Sequence, residues 1–283
     1  MKISIVVPFH NEEKTIERCI QSLLALDYPE HDYEILMVDN NSTDSSVAIV
    51  EKYSQVRLLR ETRQGDFAAR NLGLAQSTGE VIAFTDSDTA PFADWLRQIR
   101  IVMSNPAIAV IIGNLQFAPD SHALALMAAY EEEKAEFVFS SQTKEIYFGY
   151  TCNMIVRKKV FDEQGPFPPV YRNSDVVMVR KAVDAYGCDA VCYSKAVSVR
   201  RLEVSSLWVY FAKRSIYGRD YNRYGDIASA RPLNSSERLE IFRHTIRNRG
   251  YSIFTTVYFL SLLVAGALCY ELARRFTRAK TDG

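Results

Sequence analysis

Short apolar runs alternate with helix-periodic segments through the first half of the chain. "KISIVVP" (2–8), "YEILMVD" (33–39), "VRLLRE" (56–61), "EVIAFTD" (80–86) and "AIAVIIG" (107–113) are apolar without a regular polar alternation, as expected of strands covered on both faces. Between the first two, Ile16, Ile20, Leu23 and Leu24 recur at helical spacing behind Asn11, a residue suited to a helix N-cap. Strand, helix and strand in repetition predict an α/β fold. Its form would be a doubly wound, mostly parallel, Rossmann-like sheet with the ligand crevice beyond the carboxyl ends of the strands.

The polar clusters of this half fall at those ends. "PFHNEE" follows the first strand, "DNNSTD" the second, "RQGDFAARN" the third and "DSDTAP" the fourth. Loops of this kind would together meet a polar, oxygen-rich ligand. There is no GxGxxG turn and no GxxxxGK[ST] loop to cradle a phosphate with backbone amides, so a diphosphate would have to be neutralised otherwise. Asp86 and Asp88, one residue apart, can divide that work: one reaches a ribose hydroxyl and the other holds a divalent cation bridging phosphate oxygens. Taken alone, the pair could equally cap a turn before Pro91. Its place after the fourth strand of a βαβ series favours the functional reading.

Composition removes some alternatives. The 283 residues are 48% hydrophobic and 24% charged, enough to bury a large core. The formal net charge of zero gives no reason to expect nucleic acid as a partner. The five cysteines at 19, 152, 188, 192 and 269 form no CxxC pair and suit reduced thiols. "MKISIVVPFHNEE" contains no apolar region followed by a small-residue cleavage site, so the catalytic part is expected in the cytoplasm.

"SIVVPFHNEEKTIERCIQSLL", "EILMVDNNSTDSS", "RQGDFAARNLGLAQSTGEVIAFTDSDTAP" and "TCNMIVRKKVFDEQG" resemble, in order and spacing, the successive signatures of the family 2 glycosyltransferases, which have the GT-A fold. The likeness extends over about residues 1–200. It implies a nucleotide-sugar half at about 1–115 and an acceptor half at about 116–200. It also implies a sugar moved with inversion from a nucleotide donor, a UDP-sugar by expectation, to a hydroxyl of a glycan or lipid-linked acceptor. The resemblance assigns nucleotide contacts to Pro8, His10, Asn11 and Glu12, a base contact to Asp39, a ribose contact to Asp86 and the metal, Mg²⁺ or Mn²⁺, to Asp88. Position 40 is Asn where many relatives carry a second Asp, and an amide can still donate and accept hydrogen bonds. Arg63 and Arg70 are placed either to reach base or phosphates or to be solvated beside a turn at Gly65; Asn71 and Gly73 set the backbone of the next helix.

In "YRNSDVVMVRKAVDAYG" the family places an acidic pair whose Asp is the catalytic base; here Ser174 takes the neighbouring position and the role falls on Asp175. Helix capping is the alternative, and both can hold, since Asn173, Ser174 and Asp175 all suit a helix start. Many relatives have a His after "KAVSVRRLEVSSLW", whereas this chain has Arg200 and Arg201, which either meet the diphosphate or form a basic face.

The last eighty residues differ in character. "SLWVYFAKRSIYGRDYNRYG" mixes aromatic residues with Lys213, Arg214, Arg219 and Arg223, as in a helix at a membrane interface; a solvated surface helix is the alternative. "YSIFTTVYFLSLLVAGALCY" (251–270) runs twenty residues without charge, enough at about 1.5 Å per residue to cross about 30 Å of hydrocarbon, with a buried or re-entrant helix as the alternative. Arg243, Arg247 and Arg249 on one side and Arg274, Arg275, Arg278 and Lys280 on the other leave its orientation open. The expected organisation is a GT-A domain at 1–200, an amphipathic interfacial region at 201–250, a candidate transmembrane helix at 251–272 acting as a tail anchor, and a basic tail at 273–283. The chain would then be membrane-associated. A sugar nucleotidyltransferase or a non-catalytic sugar-nucleotide-binding relative is the competing reading. The former usually opens with a Gly-rich loop, which "PFHNEE" lacks, and joint retention of Asp39, Asp86, Asp88 and Asp175 argues against the latter.

Overall fold

The computed structural model describes residues 1–117, 121–169, 173–204, 206–224 and 231–281. Residues 171–172 before the Asp175 helix, 225–230 of the amphipathic stretch and 282–283 of the basic tail lie outside the described residues. So do the side chains of Arg223, Arg278 and Lys280. Contacts divide the chain into two compact units, Met1–Gln116 with Phe148–Glu203, and Phe117–Tyr147 with Val204–Gly283.

The first unit is built on β1 (Ile3–Phe9), α1 (Ile16–Leu24), β2 (Tyr33–Asp39), α2 (Ser46–Val50), β3 (Arg57–Arg60), α3 (Asp66–Gln76), β4 (Val81–Thr85), β5 (Thr89–Pro91), α4 (Trp95–Met103) and β6 (Val110–Phe117). After α5 (His122–Ser140), which belongs to the second unit, come β7 (Asn153–Arg157), α6 (Lys158–Gln164), α7 (Ser174–Tyr186) and β8 (Val191–Arg201). The eight strands form one sheet in the order β3-β2-β1-β4-β7-β6-β8-β5. Strands β3, β2, β1 and β4 pair in parallel, whereas β7 runs antiparallel to both β4 and β6, and β5 antiparallel to β8. The apolar run at 107–113 therefore joins an antiparallel half, and the sheet as a whole is mixed.

Every residue of β1 is buried, because helices cover both faces. Ile3, Ile5 and Val7 share a core with Ile16, Ile20, Leu23, Trp95, Leu96 and Ile99; a fully buried aliphatic side chain of this kind contributes roughly 1.5–3 kcal/mol. Val6 faces the other way, toward α3. A Cβ on Gly73 would stand 2.4 Å from Val6 Cγ1, so this glycine lets helix and strand approach. Strand order runs one way from β1 through β2 to β3 and the other way to β4, which makes the β1–β4 boundary the topological switch point where a crevice opens.

Asn11 does not cap α1. That helix begins at Ile16, after a turn in which Thr15 and Ile16 N–H donate to Glu12 O. Asn11 instead adopts a left-handed backbone (φ 56°), and its Oδ1 accepts the amides of Thr43 (2.7 Å) and Asp44 (3.3 Å). Its side chain is used between loops, so it is not available to the helix.

The second unit is helical: α5, α8 (Leu207–Tyr224), α9 (Ser235–Arg249) and α10 (Ile253–Thr281). Residues 117–147, expected in the acceptor half, group here because α5 buries Ala123, Leu124, Leu126 and Met127 with Tyr210, Phe259 and Leu262. Asn234 and Glu237 form a reciprocal capping box at the start of α9. In α10, Ile253–Arg275 contains an 18-residue window of mean hydropathy 1.9 and is long and apolar enough to cross a membrane by length and composition.

Candidate active site

A cavity of about 250 Å³ lies at the switch point. Six of the expected site residues line it: Pro8, His10, Glu12, Arg70, Asp86 and Asp88. Phe9, Asn40, Asp66, Ala69 and Ser87 complete the lining. Asn11, Asp39, Arg63 and Asp175 do not line it.

The turn joining β4 to β5 presents the two aspartates. Thr89 closes it, its N–H and Oγ1 both donating to Asp86 O (3.1 and 2.7 Å), and Asp88 O accepts Leu202 N–H (2.8 Å). The register Thr89↔Arg201 of the β5–β8 pair carries the chain on to Glu203, whose carboxyl meets that of Asp88. Burial, then the charges of Asp86 and Glu203, push the Asp88 carboxyl up to about 8. Its Oδ1 is buried and has no hydrogen-bond partner among the described residues.

Arg70 sits beneath this turn with its side chain 8% exposed. Its guanidinium meets Asp86 Oδ1 at 3.0 Å and Asp66 Oδ2 at 3.8 Å. Burial opposes its charge, but Asp86 and Asp66 outweigh burial and raise its pKa. Arg70 is therefore an internal counter-ion to the aspartate pair as well as a cavity wall. Arg63 faces solvent, 74% exposed, with its guanidinium on Glu61 (2.8 Å); that pairing holds the Glu61 carboxyl below its usual range.

Asn40 has a structural role in this site. Its Nδ2 donates to Glu61 O (3.0 Å) and Arg63 O (2.8 Å), its Oδ1 accepts Gly65 N–H (2.9 Å), and its own carbonyl accepts His10 Nδ1–H (2.8 Å). One buried amide thus ties the loops after β1, β2 and β3 together. Asp39, also buried, accepts Ser42 N–H through Oδ1 (3.0 Å).

Asp175 lies in the first turn of α7, where Asn173 has a left-handed backbone and makes no side-chain cap. Asp175 Oδ1 accepts Val176 N–H (2.8 Å). Burial raises the Asp175 carboxyl, opposed by that bond and by Arg70, whose field reaches it. The loop leading toward α7 is held by Asn71, which exchanges two hydrogen bonds with the Phe167 backbone (2.9 and 3.0 Å). Of the two arginines near the end of β8, Arg200 lies over the Phe92 ring (5.2 Å) and Arg201 pairs with Glu203.

Sequence reasoning missed Asp66 and Glu203. Asp66 stands four residues before Arg70 in a helix, a spacing that signals such a pair. Glu203 had no local signal, because only the β5–β8 register brings it to Asp88.

The site fits a hard divalent cation. The donors are carboxylate oxygens, and Asp88 Oδ1 is a buried acceptor without a donor. No group of three or more His, Cys, Asp or Glu converges among the described residues, so ligand and water oxygens would complete the shell.

The family model described as "Glycosyl transferase family 2" matches residues 4–165. "Glycosyltransferase AglE" of Haloferax volcanii is 31% identical over 193 residues, 65% of this chain and 62% of that protein. The "Poly(ribitol-phosphate) beta-N-acetylglucosaminyltransferase TarS" of Staphylococcus aureus is 40% identical over 93 residues, 31% of this chain and 16% of that one. The chain thus spans less than two thirds of either relative. Among solved structures, the mannosyltransferase PcManGT of Pyrobaculum calidifontis, in complex with GDP-Man and Mn²⁺, superposes with TM-score 0.60 at 20% identity, covering 98% of this chain and 83% of that one. S. aureus TarS 1–349 in complex with UDP-GlcNAc gives TM-score 0.56 at 17% identity, covering 99% and 92%. The fold is that of the GT-A glycosyltransferases.

Proposed function

The chain belongs to glycosyl transferase family 2, and we propose that it is a metal-dependent, inverting enzyme. It would move a sugar from a nucleoside diphosphate, uridine diphosphate by preference, to a hydroxyl of a glycan or lipid-linked acceptor at a membrane. The observation that carries this reading is the Asp86–Ser87–Asp88 turn at a cavity on the switch point, with Asp88 Oδ1 left without a partner. UDP-GlcNAc in TarS and Mn²⁺ in PcManGT favour the donor class and the ion.

Pro8, His10, Glu12 and Asp86 are assigned to the nucleotide, with Asp39 and Asn11 shaping the loops around it. Arg70 fixes Asp86 in direction and so acts on the nucleotide through it; Arg63, exposed and paired, is at most an outer contact. A divalent cation on Asp88, when bound, supplies positive charge to the departing diphosphate. Asp175 takes the proton of the acceptor hydroxyl as its oxygen attacks the anomeric carbon, and the bond to the diphosphate breaks on the opposite face, inverting the configuration. Burial makes the Asp175 carboxylate a stronger base than an ordinary aspartate, and the Val176 amide holds Oδ1, so Oδ2 is assigned to the proton.

The test is diphosphate release by the purified full chain in detergent against a panel of UDP- and GDP-sugars, with Mn²⁺, Mg²⁺ or EDTA. Release that needs both a donor and a divalent ion is expected. Pyrophosphate exchange from a nucleoside triphosphate and a sugar phosphate would instead favour a nucleotidyltransferase, and no release from any donor would overturn the transferase reading.

A further inference from the structure

Resting on the proposed membrane association, we infer that α10 does not cross the bilayer but lies in its surface plane, pressing one apolar face into an anionic leaflet. Along α10 the exposed residues Phe254, Val257, Leu260, Val264, Leu268 and Leu272 (48–88% exposed) follow one another at three- and four-residue steps. At about 1.5 Å per residue this stripe is roughly 30 Å long. The opposite face is already packed: Phe259 and Leu262 are buried with Tyr130, Tyr210 and Phe242.

What packs there decides between lying and crossing. Helix α8 runs parallel to α10, with Phe211 against Gly266, Ser215 Oγ donating to Cys269 O (3.5 Å) and the Arg214 guanidinium 5.7 Å from the Tyr270 ring. Arg214 in turn meets Glu131 of α5, which also pairs with Lys134 and accepts Tyr210 OH (3.1 Å). A crossing α10 would carry these charges into hydrocarbon beside it, where charged groups are strongly disfavoured. Lying in the interface leaves them on the water side of the helix and buries only the stripe.

The charge distribution names the surface. Residues 204–283 hold thirteen Lys and Arg against six Asp and Glu, while the whole chain balances at 34 of each. A net charge of +7 on the segment that carries the stripe matches an anionic leaflet, where each Lys or Arg near the surface adds attraction. Trp208, 80% exposed on α8, is the kind of aromatic that settles at headgroup level.

The experiment has two arms. In the first, the full chain is sedimented with vesicles of phosphatidylglycerol and phosphatidylcholine at roughly 3:7 and with phosphatidylcholine alone. Preferential binding to the anionic vesicles is expected, and Val264→Asp with Leu268→Asp should lower it at least tenfold. Both positions are exposed, so the melting temperature should not move. Unchanged vesicle binding by the double variant would overturn the face assignment. So would absence of vesicle binding with a wild-type dimer that the variant dissociates, and absence of binding to any vesicle would remove the membrane reading itself. In the second arm the chain, tagged at both termini, is expressed in a bacterial host and digested with protease in right-side-out spheroplasts and in inverted vesicles. Both tags cut in the same preparation is the expected result. Tags cut in opposite preparations would mean a spanning helix, overturning the in-plane inference while leaving membrane association standing.

Discussion

Asp88→Asn should make the metal-free protein more stable while removing its metal-dependent nucleotide binding. The Asp88 carboxyl, pushed up to about 8 by burial and by Asp86 and Glu203, favours the folded chain only while protonated. The penalty for ionising it is absent below about pH 4, grows as pH rises, and is complete above about 8. At about 1.36 kcal/mol per pH unit, the gap from the usual 3.8 gives an upper bound near 4 kcal/mol at pH 7. The buried turn can relax around the charge, so the expected gain for the neutral amide is about 1–3 kcal/mol. For a unit of this size that is a rise of about 2–10 °C in melting temperature. Thermal melts of both proteins in EDTA at pH 5, 7 and 8 read it directly: the difference should widen with pH and shrink to less than half by pH 5. With Mn²⁺ and UDP together, the wild type should gain stability and the variant should not. An asparagine protein less stable than wild type at pH 7, or a gap indifferent to pH, would refute the electrostatic argument.

Asp175→Asn keeps the bond to Val176 within reach of an amide oxygen, so transfer should fall about 10²–10⁴-fold with donor affinity and melting temperature near those of wild type; turnover within a few fold of wild type would return the base role to another residue. Asn40→Asp deletes both donors to Glu61 O and Arg63 O. A loss of about 2–4 kcal/mol in denaturant unfolding is expected, and an unchanged midpoint would contradict the clamp. Gly149→Ala would place a Cβ 2.9 Å from Asp175 O, so single-turnover kinetics should show a slower chemical step with little change in donor affinity.

The parallel half of the sheet was readable because its signal is local. Ile3, Ile5 and Val7 against one set of helices and Val6 against another produce an uninterrupted apolar run, and the polar loops after β1, β2 and β4 stand out against it. Strand direction in the second half was not readable, since an apolar run such as 107–113 says nothing of which neighbour it pairs with. The site divides in the same way. Asp86 and Asp88 announce themselves by spacing. Three facts depend instead on long-range register or on atoms: Glu203 at Asp88, the burial of Arg70 under Asp86, and the use of Asn11 between loops. The grouping of 117–147 with the last helices has no local signal, because α5 finds its apolar partners, Tyr210, Phe259 and Leu262, far along the chain.

On the proposed reading, the charges lining the cavity favour a cation beside its two aspartates. Glu12, Asp66, Asp86 and Asp88 bring four carboxyl groups to the lining, and Arg70 is the one guanidinium among the lining residues. That guanidinium is already committed to Asp86 and Asp66. A nucleoside diphosphate brings further negative charge to a place where burial weakens solvent screening. Arg63 is turned to solvent on Glu61, and Arg201 is paired with Glu203, so neither offers a ready substitute. Long-range steering gives no help either, because the chain carries no net charge. On the proposed reading a divalent cation would resolve both difficulties at once: it would take up the Asp88 oxygen that has no hydrogen-bond partner among the described residues, and it would present positive charge where the phosphates would lie. The pairing of Arg70 with Asp86 then separates the two carboxylates by role, one fixed in direction by an internal arginine and the other left to the metal.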